Sequence, residues 1–222
     1  MNEMARFEIA GGDAEATARI DLAALHRIAW QWGWSEAVVN HMTFMLPGSA
    51  EHFLLIPYGI HWGEVRASDF MVVDLEGNIV RGKGRAELSA VSLHGPLHRH
   101  LPHARCVIHT HQPNISSLTA LQDQTLLMAH QDSMIFHGAV AYLDAYEDLP
   151  LDASAGEICA RTMGDNIVLM MKNHGPMVVG ETIAKTFQAL YYLDRVANVQ
   201  LRAMSTGRPV QVIPEKLAKE TG

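Results

Sequence analysis

Arg105-Cys-Val-Ile-His109-Thr-His111 is the stretch on which the fold turns. Its first half is a short apolar run of the kind a buried strand needs. Side chains two residues apart on a strand leave the same face. His109 and His111 would therefore project side by side from one rigid edge. On spacing alone two readings stand. The pair can supply two ligands to one metal ion, since zinc accepts imidazole nitrogen at about 2.0–2.1 Å. It can equally be an exposed strand end hydrogen-bonded to its neighbours.

Outward from this strand, helical and extended patterns interleave. On the N-terminal side, Leu88, Val91, Leu97 and Leu101 space a helix over 88–101 that Pro102 ends. On the other side, Pro113 suits the first turn of a helix reaching Leu121. Farther upstream a helix is expected over 13–33, capped by Asp13 and stopped at Gly33. Strands are expected at Val38–Met45, Phe53–Pro57 and Phe70–Asp74, the last turning through Leu75-Glu-Gly-Asn78 into Ile79 and Val80. Downstream, a strand is expected around Met134-Ile-Phe136. A helix follows over Ser154–Met163, with Ser154 and Glu157 in capping-box spacing. Then come an apolar strand Ile167–Met171, a long amphipathic helix Thr182–Met204 and a polar tail. Interleaving of this kind predicts an α/β fold. No repeat or linker divides the chain, so one domain over residues 1–222 is expected.

Composition narrows the function. The chain has 222 residues, is 48% hydrophobic and carries a formal net charge of -7. That charge argues against nucleic acid as a partner, because phosphate binding needs clustered Lys and Arg. The only basic cluster is the short Arg81-Gly-Lys83-Gly-Arg85. No run of about 18 apolar residues predicts a membrane span, and none near the start predicts a signal peptide, so the expected compartment is the cytoplasm. Cys106 and Cys159 both lie among apolar residues and read as buried free thiols. Thirteen histidines are enough to make metal or acid–base chemistry worth testing by position. One further histidine, in Asn173-His174-Gly175, sits at the end of the second apolar strand. A third imidazole there would make a site with open coordination positions, the mark of a catalytic metal. By itself it reads as well as a turn histidine beside a glycine.

Taken in order, several segments carry a resemblance. They are Ile56-Pro-Tyr-Gly59, Ser68-Asp69, Val73-Asp-Leu-Glu-Gly-Asn78, Cys106-Val-Ile-His-Thr-His111, Lys172-Asn-His-Gly175, Val179-Gly180 and Ala189-Leu-Tyr-Tyr-Leu-Asp194. Together they resemble the class II aldolase and adducin family, over about residues 17–204. The resemblance implies a three-layer α/β/α fold with a mostly antiparallel central sheet. It implies a homotetramer with sites at subunit interfaces, a small-molecule substrate, and one divalent metal ion per subunit. Zinc is the usual metal, with manganese, cobalt or iron as alternatives, held at the positions of His109, His111 and His174. A Lewis acid there would stabilise the enediolate formed as a carbon–carbon bond breaks, in an aldolase or decarboxylase reaction.

The sequence also departs from the sugar-phosphate aldolases of that family. Counting back without gaps from His109, their acid–base Glu falls on Ala90 and their phosphate-holding serine pair on Leu88 and Ser89. Their glycine-rich phosphate loop is here Val39-Asn-His-Met-Thr43, without glycine. Both losses point away from a phosphorylated substrate and toward the adducin-like branch. Two residues are candidates to move protons. Glu87 lies three positions upstream of Ala90, and its other reading is a solvated loop acid. His130 lies where the aldolases place a tyrosine acid, and its other reading is an interface histidine. His137 is a lesser candidate. His94 reads as a packed residue, and His98, His100 and His103 as surface residues. The rival functions are an Fe(II) oxygenase on the same three imidazoles and a non-catalytic binding module like the adducin head domain.

Overall fold

The computed structural model describes residues 14–144 and 154–221. Within them, eight strands form one sheet in the order β4-β3-β2-β1-β5-β8-β7-β6. These are β1 (His41–Met45), β2 (His52–Leu55), β3 (Met71–Asp74), β4 (Ile79–Arg81), β5 (Cys106–His109), β6 (Val140–Leu143), β7 (Val168–Met171) and β8 (Pro176–Gly180). Every pairing is antiparallel except that of β6 with β7. The helices are α1 (Ala14–Gln31), α2 (Leu88–His100), α3 (Pro113–Thr119), α4 (Ser154–Met163), α5 (Ile183–Met204) and α6 (Glu215–Thr221).

The layers follow from strand alternation. On β5, Cys106 and Ile108 join the core formed with Leu22 of α1, Ile115 of α3 and Leu190 of α5. Val107, between them, joins Leu93 and Leu97 of α2 and Cys159 and Met163 of α4 on the opposite face. β7 and β8 split in the same way, with Val168, Met170 and Val178 on one side and Leu169, Met171, Met177 and Val179 on the other. Strands covered on both faces carry continuous apolar runs, which is why β5 and β7 read as buried segments in the sequence. The fold is thus α/β, three layers deep around a mostly antiparallel sheet. Both cysteines are buried thiols. α2 and α4 close on each other where Gly156 lies against the Ser92 carbonyl; a Cβ on Gly156 would stand 2.1 Å from that oxygen. Among the described residues no helix is long and apolar enough to cross a membrane.

Several expected elements differ. The strand expected from Val38 starts only at His41, because Ala37 and Asn40 both take positive φ (48° and 71°), which no strand accommodates. The strand expected to run to His111 stops at His109. Met134-Ile-Phe136 is not a strand. It lies in a 3-10 helix, Gln131–Phe136, whose three-residue repeat buries Ser133 and Phe136 together. The sixth strand is instead Val140–Leu143, and β8 was not anticipated at all. The tail is not wholly polar coil: α6 buries Ala218, and the Ile213 N–H donates to the Met128 carbonyl at 2.7 Å. The cap expected at Asp13 lies outside the described residues.

His26, on α1, is fully buried between Trp62 and Phe70. Its Nδ1–H donates to the Leu22 carbonyl at 2.7 Å, and its Nε2 has no partner among the described residues. Burial lowers its pKa from 6.5 to about 4. The unfolded chain therefore binds a proton below pH 6.5 that the folded chain refuses until about pH 4. Stability is complete above the first value and declines as pH falls toward the second. Urea unfolding of the metal-free protein should show a loss of about 2 kcal/mol from this residue between pH 7 and pH 5. His26→Leu should remove that share of the slope, and an unchanged slope would show that the ring titrates freely in the native state.

Candidate metal centre

The antiparallel pairing of β1 with β5 sets His41 opposite His109 and Thr43 opposite Val107. β8 lies on the other side of β5, with Met177 opposite His109. The turn joining β7 to β8, Lys172-Asn-His174-Gly, thereby reaches the end of β5. Asn173 occupies the left-handed region at φ 55°, which Asn tolerates better than most residues. Its N–H donates to the Thr119 carbonyl, and the Lys172 ammonium donates to the carbonyls of Leu121 and Gln122 at 2.7 Å each. Gly175 lets the turn close on β5, since a Cβ there would meet the Thr110 carbonyl at 2.5 Å and the His111 ring at 3.1 Å.

The result is a triangle of imidazoles. His109, His111 and His174 have ring centroids 4.8 Å apart in every pair. One nitrogen from each lies within 4.8 Å of the others, and this is the arrangement a metal ion could occupy. The far side of each strand histidine is already committed. His109 Nδ1 donates to the Pro176 carbonyl at 3.0 Å. His111 Nδ1 stands 2.7 Å from the Glu36 carboxylate and donates to it. A neutral ring that donates through Nδ1 keeps a bare lone pair at Nε2. The two Nε2 atoms stand 3.1 Å apart. Two lone pairs at that distance repel unless a cation lies between them, and ligands of a tetrahedral zinc sit about 3.3 Å apart. The donor set therefore fits a divalent ion with nitrogen ligands.

Burial keeps His109 and His174 neutral. It holds His109 well below the usual histidine value, with His174, His41 and His111 adding to the effect. Burial, then His111, lowers His174 to about 4, while the Glu36 carboxylate opposes the shift. Neutral imidazole is the form that ligates metal.

The proton-moving candidates fare differently. Glu87 caps α2, its Oε1 accepting from the Ser89 N–H at 3.3 Å and the Ser89 hydroxyl at 2.9 Å. That hydroxyl lies 3.3 Å from His41 Nε2, and the His41 ring centroid is 5.2 Å from that of His109. Glu87 is thus joined to the centre through two intervening residues, Ser89 and His41, rather than being a free loop acid. Ala90 is fully buried and apolar, so the position lost from the aldolases has no substitute of its own. His130 caps the Gln131–Phe136 helix, accepting from the Asp132 N–H, and among the described residues none of its contacts runs to the three imidazoles. His137 caps the other end of that helix.

Sequence reading missed Glu36, whose signal is only an acid close behind Trp34 on a loop. It missed Asn40, 7% exposed, whose side-chain amide has no hydrogen-bond partner at either atom among the described residues. It also misplaced His98, which is buried rather than on the surface; His100 pairs with Glu157 at the surface and His103 with the Asn166 carbonyl, as expected of exposed or half-buried rings.

Known proteins share both the fold and the sequence. A protein of Caulobacter vibrioides provisionally assigned as an aldolase class 2 protein is 32% identical over 209 residues, covering 94% of this chain and 80% of its own. Rat alpha-adducin is 31% identical over 211 residues, covering 92% of this chain, and the match spans 28% of the adducin. The structure of L-fuculose 1-phosphate aldolase from Glaciozyma antarctica superimposes with a TM-score of 0.84 at 26% identity, covering 93% of this chain and 80% of that one. The family described as Class II Aldolase and Adducin N-terminal domain matches residues 20–201. With its sheet, its histidine triangle and most of its length accounted for, the chain belongs to the class II aldolase and adducin family.

Proposed function

We propose that this chain is a divalent-metal-dependent carbon–carbon lyase, of the aldolase or decarboxylase kind, acting on a small hydroxy-carbonyl or keto-acid substrate without phosphate. The observation that carries the reading is the convergence of His109, His111 and His174 with two bare Nε2 atoms 3.1 Å apart. Those three residues would hold the ion, and zinc is the favoured occupant because it accepts all-nitrogen sets in tetrahedral geometry with an open fourth position. When bound, the ion supplies a Lewis acid for a substrate carbonyl.

The chain's own residues would do the rest. Glu36 holds the His111 ring in one tautomer and orientation, as carboxylates beside metal-binding histidines commonly do. The Pro176 carbonyl does the same for His109. Glu87, joined to the centre through Ser89 and His41, is the group we assign to moving the proton. His130 is the second candidate, and its place on the Gln131–Phe136 helix gives it that role only across a contact with another copy, as in the homotetramer we propose.

Charge supports an unphosphorylated substrate. Among the described residues the charged group that acts on the triangle is a carboxylate, Glu36. Phosphate sites are built from Arg or Lys cations or from helix N-termini and glycine-rich backbone. Here the corresponding loop commits His41 to hydrogen bonds with neighbouring side chains.

Three measurements test the reading. Metal analysis of the untagged protein should find about one divalent ion per chain, reduced at least tenfold in His109→Ala; no metal after reconstitution would leave a binding module instead, and tight iron with dioxygen consumption would favour an oxygenase. Glu36→Gln should keep the stoichiometry but weaken zinc roughly 10–100-fold in competition with a chelator; an unchanged affinity would remove Glu36 from the centre. Finally, the zinc-loaded protein should cleave α-hydroxy-keto or β-keto acids faster than any sugar phosphate, and a preference for the phosphorylated compounds would overturn the assignment.

A further inference from the structure

Behind the triangle, between α2 and the sheet, lies a second group of histidines. His41 and Thr43 point the same way from β1, being two residues apart. His94 and His98 stand one above the other on α2, being four apart. The two pairs interlock into one continuous string. His41 Nδ1 lies 2.8 Å from His94 Nε2, His94 Nδ1 lies 2.7 Å from Thr43 Oγ1, and Thr43 Oγ1 lies 2.8 Å from His98 Nε2. His98 Nδ1 lies 2.6 Å from the Ala104 carbonyl. All four residues are at most 7% exposed.

The string ends at a group that can only accept, and this gives it one direction. The Ala104 carbonyl has no proton, so His98 must donate to it through Nδ1. A buried neutral ring carries one proton, so His98 Nε2 is bare and must accept from the Thr43 hydroxyl. Thr43 has no second proton, so its oxygen accepts from His94 Nδ1. His94 Nε2 is then bare and accepts from His41 Nδ1. His41 Nε2 is left bare in turn, and it faces the Ser89 hydroxyl at 3.3 Å. Neutrality follows from burial, which lowers His98 to about 4 and His94 well below the usual histidine range.

We propose that His98, Thr43 and His94 are positioning residues: they lock His41 in the Nδ1–H form, so that Nε2 is a fixed acceptor that shares the single Ser89 hydroxyl proton with Glu87 beside the three-imidazole centre. Ser89 has one hydroxyl proton and two acceptors for it, His41 Nε2 and Glu87 Oε1 at 2.9 Å. With the tautomer fixed, His41 never offers an N–H toward Ser89, and the hydroxyl stays poised between the ring and the carboxylate. The part that concerns Glu87 rests on the lyase reading above; the tautomers do not.

The test is nuclear magnetic resonance of the full chain carrying 15N in its histidines, with and without zinc. Long-range nitrogen–proton correlations distinguish a ring nitrogen that bears a proton from one that does not. Signals are assigned by their loss in His41→Gln and His94→Gln. His41, His94 and His98 should each show a single Nδ1–H tautomer, and an Nε2–H or averaged pattern at any of the three would overturn the string. Thr43→Val removes the hydroxyl at nearly constant shape, and His94 and His41 should then lose their single-tautomer pattern while Thr43→Ser retains it. An unchanged His41 in folded Thr43→Val would show that nothing is transmitted. Should Thr43→Val not fold, the wild-type pattern alone decides. Absence of zinc binding would defeat the lyase reading and leave the tautomers as stated, whereas an Nε2–H His41 in a zinc-binding protein would defeat the string alone.

Discussion

The antiparallel register of β1 on β5 is the constraint on which the rest of the centre depends. It places His41 against His109 and Thr43 against Val107, on the face covered by α2. A slip of β1 by one residue would turn His41 and Thr43 to the opposite face, into the layer of α1 and α5. The register is held because both faces of β5 are buried, with Cys106 and Ile108 committed to one core and Val107 to the other. Apolar packing on two sides thus determines where polar groups can stand on one.

Two kinds of order meet at His109. Toward the sheet edge its Nδ1 is tied to the Pro176 carbonyl, and this frees Nε2 for the triangle. Toward α2 its ring lies beside His41, the last member of a string whose direction is set by the Ala104 carbonyl. In both cases a backbone carbonyl, fixed by secondary structure, decides which nitrogen of an imidazole carries the proton. Carbonyls suit this task because they accept and never donate, so the tautomer does not depend on a second choice elsewhere.

Burial has a cost that the fold distributes unevenly. Among the described residues His26 keeps a bare nitrogen without a partner, while the histidines under α2 satisfy one another in sequence. An unpartnered buried acceptor is unfavourable, so the difference marks His26 as a packing residue and the α2 group as an organised one.

Much of this was legible in one dimension. The two apolar strands, the long helix α5 and the α/β class follow from periodicity, because buried strands and amphipathic helices carry different repeats. The pair His109 and His111 is visible because a two-residue spacing means one face, and His174 is visible through the order of motifs shared with the class II aldolase and adducin family. The rest waited for tertiary structure. Strand β8, Glu36 and the buried position of His98 depend on which elements become neighbours, and spacing along the chain does not encode that. His41, Thr43, His94 and His98 show the limit most clearly. The sequence sets each pair on one face of its own element, but only the packing of α2 on β1 interleaves them, and only the carbonyl at the far end decides where the protons lie.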